Sequence, residues 1–143
     1  MRQREDCPPV LYVRGDQELF RERSIAVVGT RSLTDRIDQE EGEKIVRRLV
    51  DKKHVIISGL ALGCDTLAHT STLRYGGRTI AVLGTPLDKT YPQKNKELQE
   101  RIAAEHLLVS QYPVGIKTRP YHFAYRNNVT VGLASDGVVV IRA

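Results

Sequence analysis

The chain has 143 residues, 41% of them hydrophobic and 27% charged, which is the length and composition of one globular domain with a single core. No run of 18 apolar residues exists to span a membrane, and the charged start, residues 1–6, leads into no apolar stretch of a secretory leader; the expected setting is the cytoplasm, with no membrane partner. The net charge of +5 is mild and excludes little by itself.

In chain order, residues 1–23, with Pro8-Pro9-Val10-Leu11-Tyr12-Val13, read as a lead-in segment packing on the edge of a domain that spans 24–143. Ser24-Ile25-Ala26-Val27-Val28 reads as a strand ending at Gly29. A helix follows over residues 33–50, where Ile37, Ile45, Val46, Leu49 and Val50 keep helical spacing and Thr34 or Asp35 serves as N-cap. Val55-Ile56-Ile57 is a second strand, followed by Ser58-Gly59 and a helix over 65–75 that stops at Gly76-Gly77. Residues 79–83 form a third strand, 94–104 a polar helix and 107–109 a fourth strand. A loop over 111–122 precedes a helix over 126–134, and Val138-Val139-Val140-Ile141 closes the chain as a fifth strand.

Uninterrupted Val/Ile runs belong to strands buried on both faces, as in parallel sheets covered by helices. The expected fold is therefore α/β, Rossmann-like and doubly wound, with a mainly parallel sheet of about five strands. Ligands in such folds sit beyond the carboxyl ends of the strands, which directs attention to loops 29–34, 58–65, 84–93 and 111–127. Cys7 and Cys64 lie far apart without a CxxC, so neither a disulfide framework nor a zinc site is expected, and both read as small packing side chains.

The first loop, Gly29-Thr30-Arg31-Ser32, places a glycine, a hydroxyl and a guanidinium at a helix start. That is an anion cradle or a plain turn with a solvated arginine. The second, Ser58-Gly59-Leu60-Ala61-Leu62-Gly63-Cys64-Asp65, has small residues that let a phosphate approach the backbone. It is neither GxGxxG nor a P-loop. Asp65 and His69 share a helix face at i, i+4; an N-capping aspartate with a supporting histidine is favoured over a metal or acid–base pair. The last segment, Arg119-Pro120-Tyr121-His122-Phe123-Ala124-Tyr125-Arg126-Asn127-Asn128, interleaves aromatics with arginines and amides. Rings stack on bases and guanidinium groups hold phosphates in single-stranded nucleic acid; the alternative is that the rings pack the base of a helix. Residues 111–143 carry Lys117, Arg119, Arg126 and Arg142 against Asp136 alone, a balance that suits a phosphate-bearing partner. GxSxG, HExxH and paired-cysteine motifs are missing, and no cofactor or metal is expected. The competing class is a sensor binding a nucleotide or nucleotide-derived ligand through the same Gly29 and Gly59 loops, which has no use for the aromatic–arginine segment. A nucleoside-processing enzyme with Asp65 or Asp88 as acid lacks the glycine-rich loop and glutamate pair it needs.

Val27-Val28-Gly29-Thr30-Arg31, Ser58-Gly59 with Ala61, Gly63 and Asp65-Thr66-Leu67-Ala68-His69, Gly77 to Gly84, Tyr91-Pro92 with Asn95, and Phe123, Arg126 and Asn127 stand in unbroken order. Together with Val139–Ala143, they resemble the collinear motifs of the DprA/Smf family of DNA-processing proteins over residues 8–143. The resemblance implies a Rossmann-like, non-catalytic domain that binds single-stranded DNA and helps load the RecA recombinase in natural transformation. It implies DNA contacts at the positions of Gly29, Thr30, Arg31, Ser58, Gly59, Phe123, Arg126 and Asn127, to which the loop readings add Ala61, Gly63, Lys117 and Arg119. Cys64, Ala124, Asn128 and Arg142 depart from the family's usual isoleucine, proline, arginine and glutamate. A homodimer is also implied, built partly from a further loop, helix and strand that relatives carry past the position of Ala143.

Overall fold

The computed structural model describes residues 10–142; the readings of residues 1–6, Cys7, Pro8-Pro9 and Ala143 lie outside them. The elements are β1 (Tyr12–Gly15), β2 (Ser24–Val28), α1 (Arg36–Asp51), β3 (Val55–Ser58), α2 (Cys64–Arg74), β4 (Thr79–Leu83), α3 (Lys96–Glu105), β5 (Leu107–Ser110), α4 (Pro120–Leu133) and β6 (Val138–Val140), with short 3-10 turns at Gln17–Arg21 and Gln93–Asn95. One sheet has the order β1-β5-β4-β3-β2-β6. All neighbours are parallel except the β1–β5 pair.

Among the described residues the sheet thus has six strands where about five were expected. The sixth is β1, drawn from the lead-in segment, pairing Tyr12 with Ser110 and Gly15 with Leu107. Its side chains are mostly exposed, so it lacks the continuous apolar run that marks the central strands. The other strands behave as their composition dictates. Val55 and Ile57 of β3, Ile80 and Val82 of β4, and Leu107 and Val109 of β5 share one face, packed against Val129 of α4 and Leu19. On the opposite face, Ile56 meets Val46, Val50 and Ala68 of α1 and α2, while Ala81, Leu83 and Leu108 meet Ile102 of α3. Three helices cover one face and α4, crossing back from β5 to β6, covers the other.

Helix starts show the local chemistry. Asp35, rather than Thr34, caps α1, its carboxylate accepting the Ile37 N–H at 2.7 Å. The cap of α2 is Gly63, so the N-cap reading of Asp65 is corrected: Asp65 sits in the first turn and accepts the Ala61 N–H at 3.3 Å. The largest correction concerns α4, expected from Arg126 and found from Pro120. Pro120 occupies the first helical position, where no N–H is needed. The Arg119 N–H donates to His122 Nδ1 at 3.1 Å, and the His122 ring stacks on Tyr112 at 4.0 Å. A helix begun by proline and a buried histidine lacks the Ser/Thr/Asp/Asn start signal.

Candidate nucleic-acid interface

The loops after β2, β3 and β4 and the first two turns of α4 meet at the carboxyl end of the sheet and enclose a crevice lined by Arg31, Ala61, Leu62, Tyr91, Pro92, Phe123 and Arg126. Each wall is set by a close approach of backbone to backbone or of side chain to backbone.

The loop after β2 is clamped from both sides. The Thr30 N–H donates to the Arg142 carbonyl at 2.6 Å, and the Thr30 carbonyl accepts the Cys64 N–H at 3.0 Å. Gly63 makes the second bond geometrically available: it has φ +77°, and a Cβ there would lie 2.3 Å from the Thr30 carbonyl oxygen. The Thr30 hydroxyl accepts the Ser32 N–H at 3.1 Å, closing a turn in which Arg31 is exposed at the crevice rim.

The loop after β3 forms the floor. Ser58 is fully buried, its hydroxyl donating to the Val27 carbonyl at 2.6 Å. Arg126 lies over Gly59: its guanidinium donates to the Gly59 carbonyl and, at 3.5 Å, to that of Val82. A Cβ on Gly59 would meet the Arg126 Cζ at 2.7 Å. Arg126 is only 3% exposed. Burial pulls its pKa below the usual arginine value, and the nearby Asp65 carboxylate opposes that. Asp65 is buried too; burial raises its pKa, against the pull of Arg126 and of hydrogen bonds from the loop backbone, the Ala61 N–H among them. Each charge opposes the shift that burial imposes on the other, and Arg126 reaches the crevice lining.

The third wall is aromatic. Phe123 lies directly against Gly84, where a Cβ would come within 2.4 Å of the ring. The Tyr91 ring stands 5.0 Å from that of Phe123, tilted by 47°, and is 64% exposed. A cationic rim, an apolar floor edge at Ala61 and Leu62, and two open rings make a slot for a planar, anionic ligand.

Of the residues singled out from sequence, Arg31, Ala61, Phe123 and Arg126 line the crevice. Gly29, Thr30, Ser58, Gly59 and Gly63 stand behind it: the space left by the Gly59 and Gly63 side chains is filled by Arg126 and by Thr30, not open to a phosphate. Asn127 is exposed and its side-chain oxygen accepts the Arg126 Nε at 3.3 Å. Lys117 and Arg119 are exposed on the approach to α4, outside the lining. His69 is fully buried against the Thr79 hydroxyl at 2.7 Å, with its pKa pushed down to about 3 by burial, so it holds α2 to β4 rather than serving Asp65. Asp88 is exposed. Among the described residues no three His, Cys, Asp or Glu side chains gather as a metal site, and no helix is long and apolar enough to cross a membrane. Sequence reasoning missed Tyr91, Leu62 and Pro92 as lining residues. The available signal was an aromatic ring in a loop beyond a strand's carboxyl end.

The family model described as DNA recombination-mediator protein A matches residues 1–143. DNA processing protein DprA of Streptococcus pneumoniae is 41% identical over 96% of the chain, and its X-ray structure superposes with a TM-score of 0.87 over 93%. Protein Smf of Synechocystis is 46% identical over 95% of the chain. DNA processing protein A of Helicobacter pylori, whose structure is described for its unique single-stranded DNA binding mode, superposes with a TM-score of 0.84 at 32% identity. The chain spans 48% and 35% of the length of the Streptococcus and Synechocystis relatives.

Proposed function

The chain belongs to the family of DNA recombination-mediator protein A, and we propose that its crevice binds single-stranded DNA without catalysing a reaction on it. The observation that carries this is the meeting of Arg31 and Arg126 with the Tyr91–Phe123 ring pair in one crevice. Guanidinium groups answer the phosphates and open rings answer unstacked base faces, which a duplex hides. Direct contact falls to Arg31, Ala61, Phe123, Arg126 and Asn127, joined by Tyr91. Gly29, Thr30, Ser58, Gly59 and Gly63 hold those side chains in place, and Lys117 and Arg119 draw the strand in. The single-stranded DNA binding mode described for the Helicobacter relative supports the same ligand here. By likeness to the family, the bound strand is handed to RecA during transformation in the cytoplasm, by a protein that pairs as a homodimer.

The test is calorimetric titration with oligothymidylate beside ATP, NAD and mononucleotides. The expected outcome is saturable binding of the oligonucleotide and none of the small ligands at micromolar concentration, because the loops lack a dinucleotide fingerprint and a P-loop lysine. Micromolar binding of a small nucleotide that does not tighten with oligonucleotide length would make this a nucleotide sensor instead.

A further inference from the structure

The aromatic segment at the start of α4 does not point one way. Successive residues of a helix turn by about 100°, so Tyr121 and Tyr125 share a flank while Phe123 lies about 200° from Tyr121, toward Gly84 and Tyr91. Phe123 serves the crevice. Tyr121 and Tyr125 are outside its lining, 57% and 55% exposed, with their rings edge to face at 5.7 Å. They are held in advance. Tyr121 also meets the His122 ring edge-on at 4.5 Å, and that ring is stacked on the buried Tyr112. Two open rings on a helix flank, each in contact with a neighbouring ring, offer planar faces to a stacking partner.

Charge identifies the occupant. Residues 106–135 contain no Asp or Glu, while Lys117 and Arg119 stand exposed just ahead of the rings. A segment with exposed aromatic rings, exposed cations and no carboxylate of its own complements a polyanion that carries planar bases. We infer that the strand bound in the crevice continues over the start of α4, and that Tyr121 and Tyr125 form a second base-stacking platform on the far flank. This rests on the single-stranded DNA reading of the crevice and extends it from a slot to a track across the helix N-terminus. Both hydroxyl-bearing rings act through their faces, so phenylalanine replaces either without loss.

The experiment measures anisotropy of labelled oligothymidylates of roughly 5 and 15 nucleotides, near the short and long ends of the usual single-strand site sizes. It uses the wild-type protein, the Tyr121→Ala/Tyr125→Ala variant and the Tyr121→Phe/Tyr125→Phe variant. The alanine variant is expected to bind the long oligonucleotide about tenfold more weakly and the short one as wild type does, with the phenylalanine variant matching wild type on both. Both tyrosines are exposed, so the melting temperature should stay put. Equal binding of the long oligonucleotide by all three proteins overturns the platform, as does an equal loss on both lengths. A change of oligomeric state in the alanine variant with unchanged DNA binding overturns it in favour of contact with a second copy. Failure of the wild type to bind either length removes the crevice reading itself, a distinct result.

Discussion

Arg31 and Arg126 bring the same charge to one crevice from different depths. Arg31 is exposed at the rim, and Arg126 is buried over Gly59 beside Asp65. Arg31→Ala should weaken oligonucleotide binding by about 1–3 kcal/mol and reduce the salt slope by nearly one phosphate's worth, with the fold unharmed. Arg126→Ala removes the donors to the Gly59 and Val82 carbonyls and the nearby cation whose charge opposes the raised pKa of Asp65. It should cost about 1–3 kcal/mol of folding stability, for buried acceptors left unpaired, as well as affinity. Urea melts beside DNA titrations separate the two; equal melting midpoints would return Arg126 to the role of a surface clamp. The sequence marked both residues as anion partners because guanidinium chemistry is legible in a residue name. Depth is not. The clue to it lay in Gly59 and Asp65, whose missing side chain and opposite charge acquire meaning only once α4 is laid over the sheet.

Helix α4 is where the site is assembled and where local signals were weakest. In sequence Tyr121, Phe123 and Tyr125 read as one aromatic group, but on the helix they fall on two opposite faces. Its start, Pro120 with His122 as acceptor, uses neither a hydroxyl nor a carboxylate. By contrast α1, with Asp35 ahead of a regular apolar stripe, carried its start in its sequence. The seat of Phe123 supplies an element-level test. Gly84→Ala puts a Cβ about where the ring now lies, so the Phe123 ring must leave its present seat. Affinity for single strands should fall about tenfold, as it should for Phe123→Ala, with the salt slope unchanged in both because no phosphate contact is lost. Phe123 is only half-buried, so Phe123→Ala should lower stability by less than the roughly 3–5 kcal/mol of a fully buried phenylalanine. Normal DNA binding with a large drop in melting temperature would make Phe123 a packing residue alone.

At the scale of the molecule, the parallel sheet was legible because its central strands are apolar on both faces, and the edge strand β1 was not, because its burden is backbone pairing rather than burial. Burial of histidines gives the whole fold a pH signature. Burial holds His69 to a pKa of about 3 and lowers those of His106 and His122 from the ordinary value of 6.5, near which an unfolded chain takes up protons. With folded values depressed, the unfolded state binds more protons below pH about 6.5, so stability is full above neutrality and falls with acid. Each histidine still neutral in the fold contributes a slope of up to about 1.4 kcal/mol per pH unit. Urea midpoints should therefore be lower at pH 5 than at pH 7.5, and equal midpoints would contradict neutral burial. The basic surface around the crevice, and the carboxylate-free stretch over residues 106–135, lead to the most direct measurement: affinity for a labelled single strand and for its duplex across a salt series. Binding through three to five phosphates gives a log–log slope of about −2 to −4 for the single strand, and open rings give a clear preference for it over duplex. A flat salt response, or equal affinity for duplex and single strand, contradicts a strand held by its phosphates and stacked on Tyr91 and Phe123.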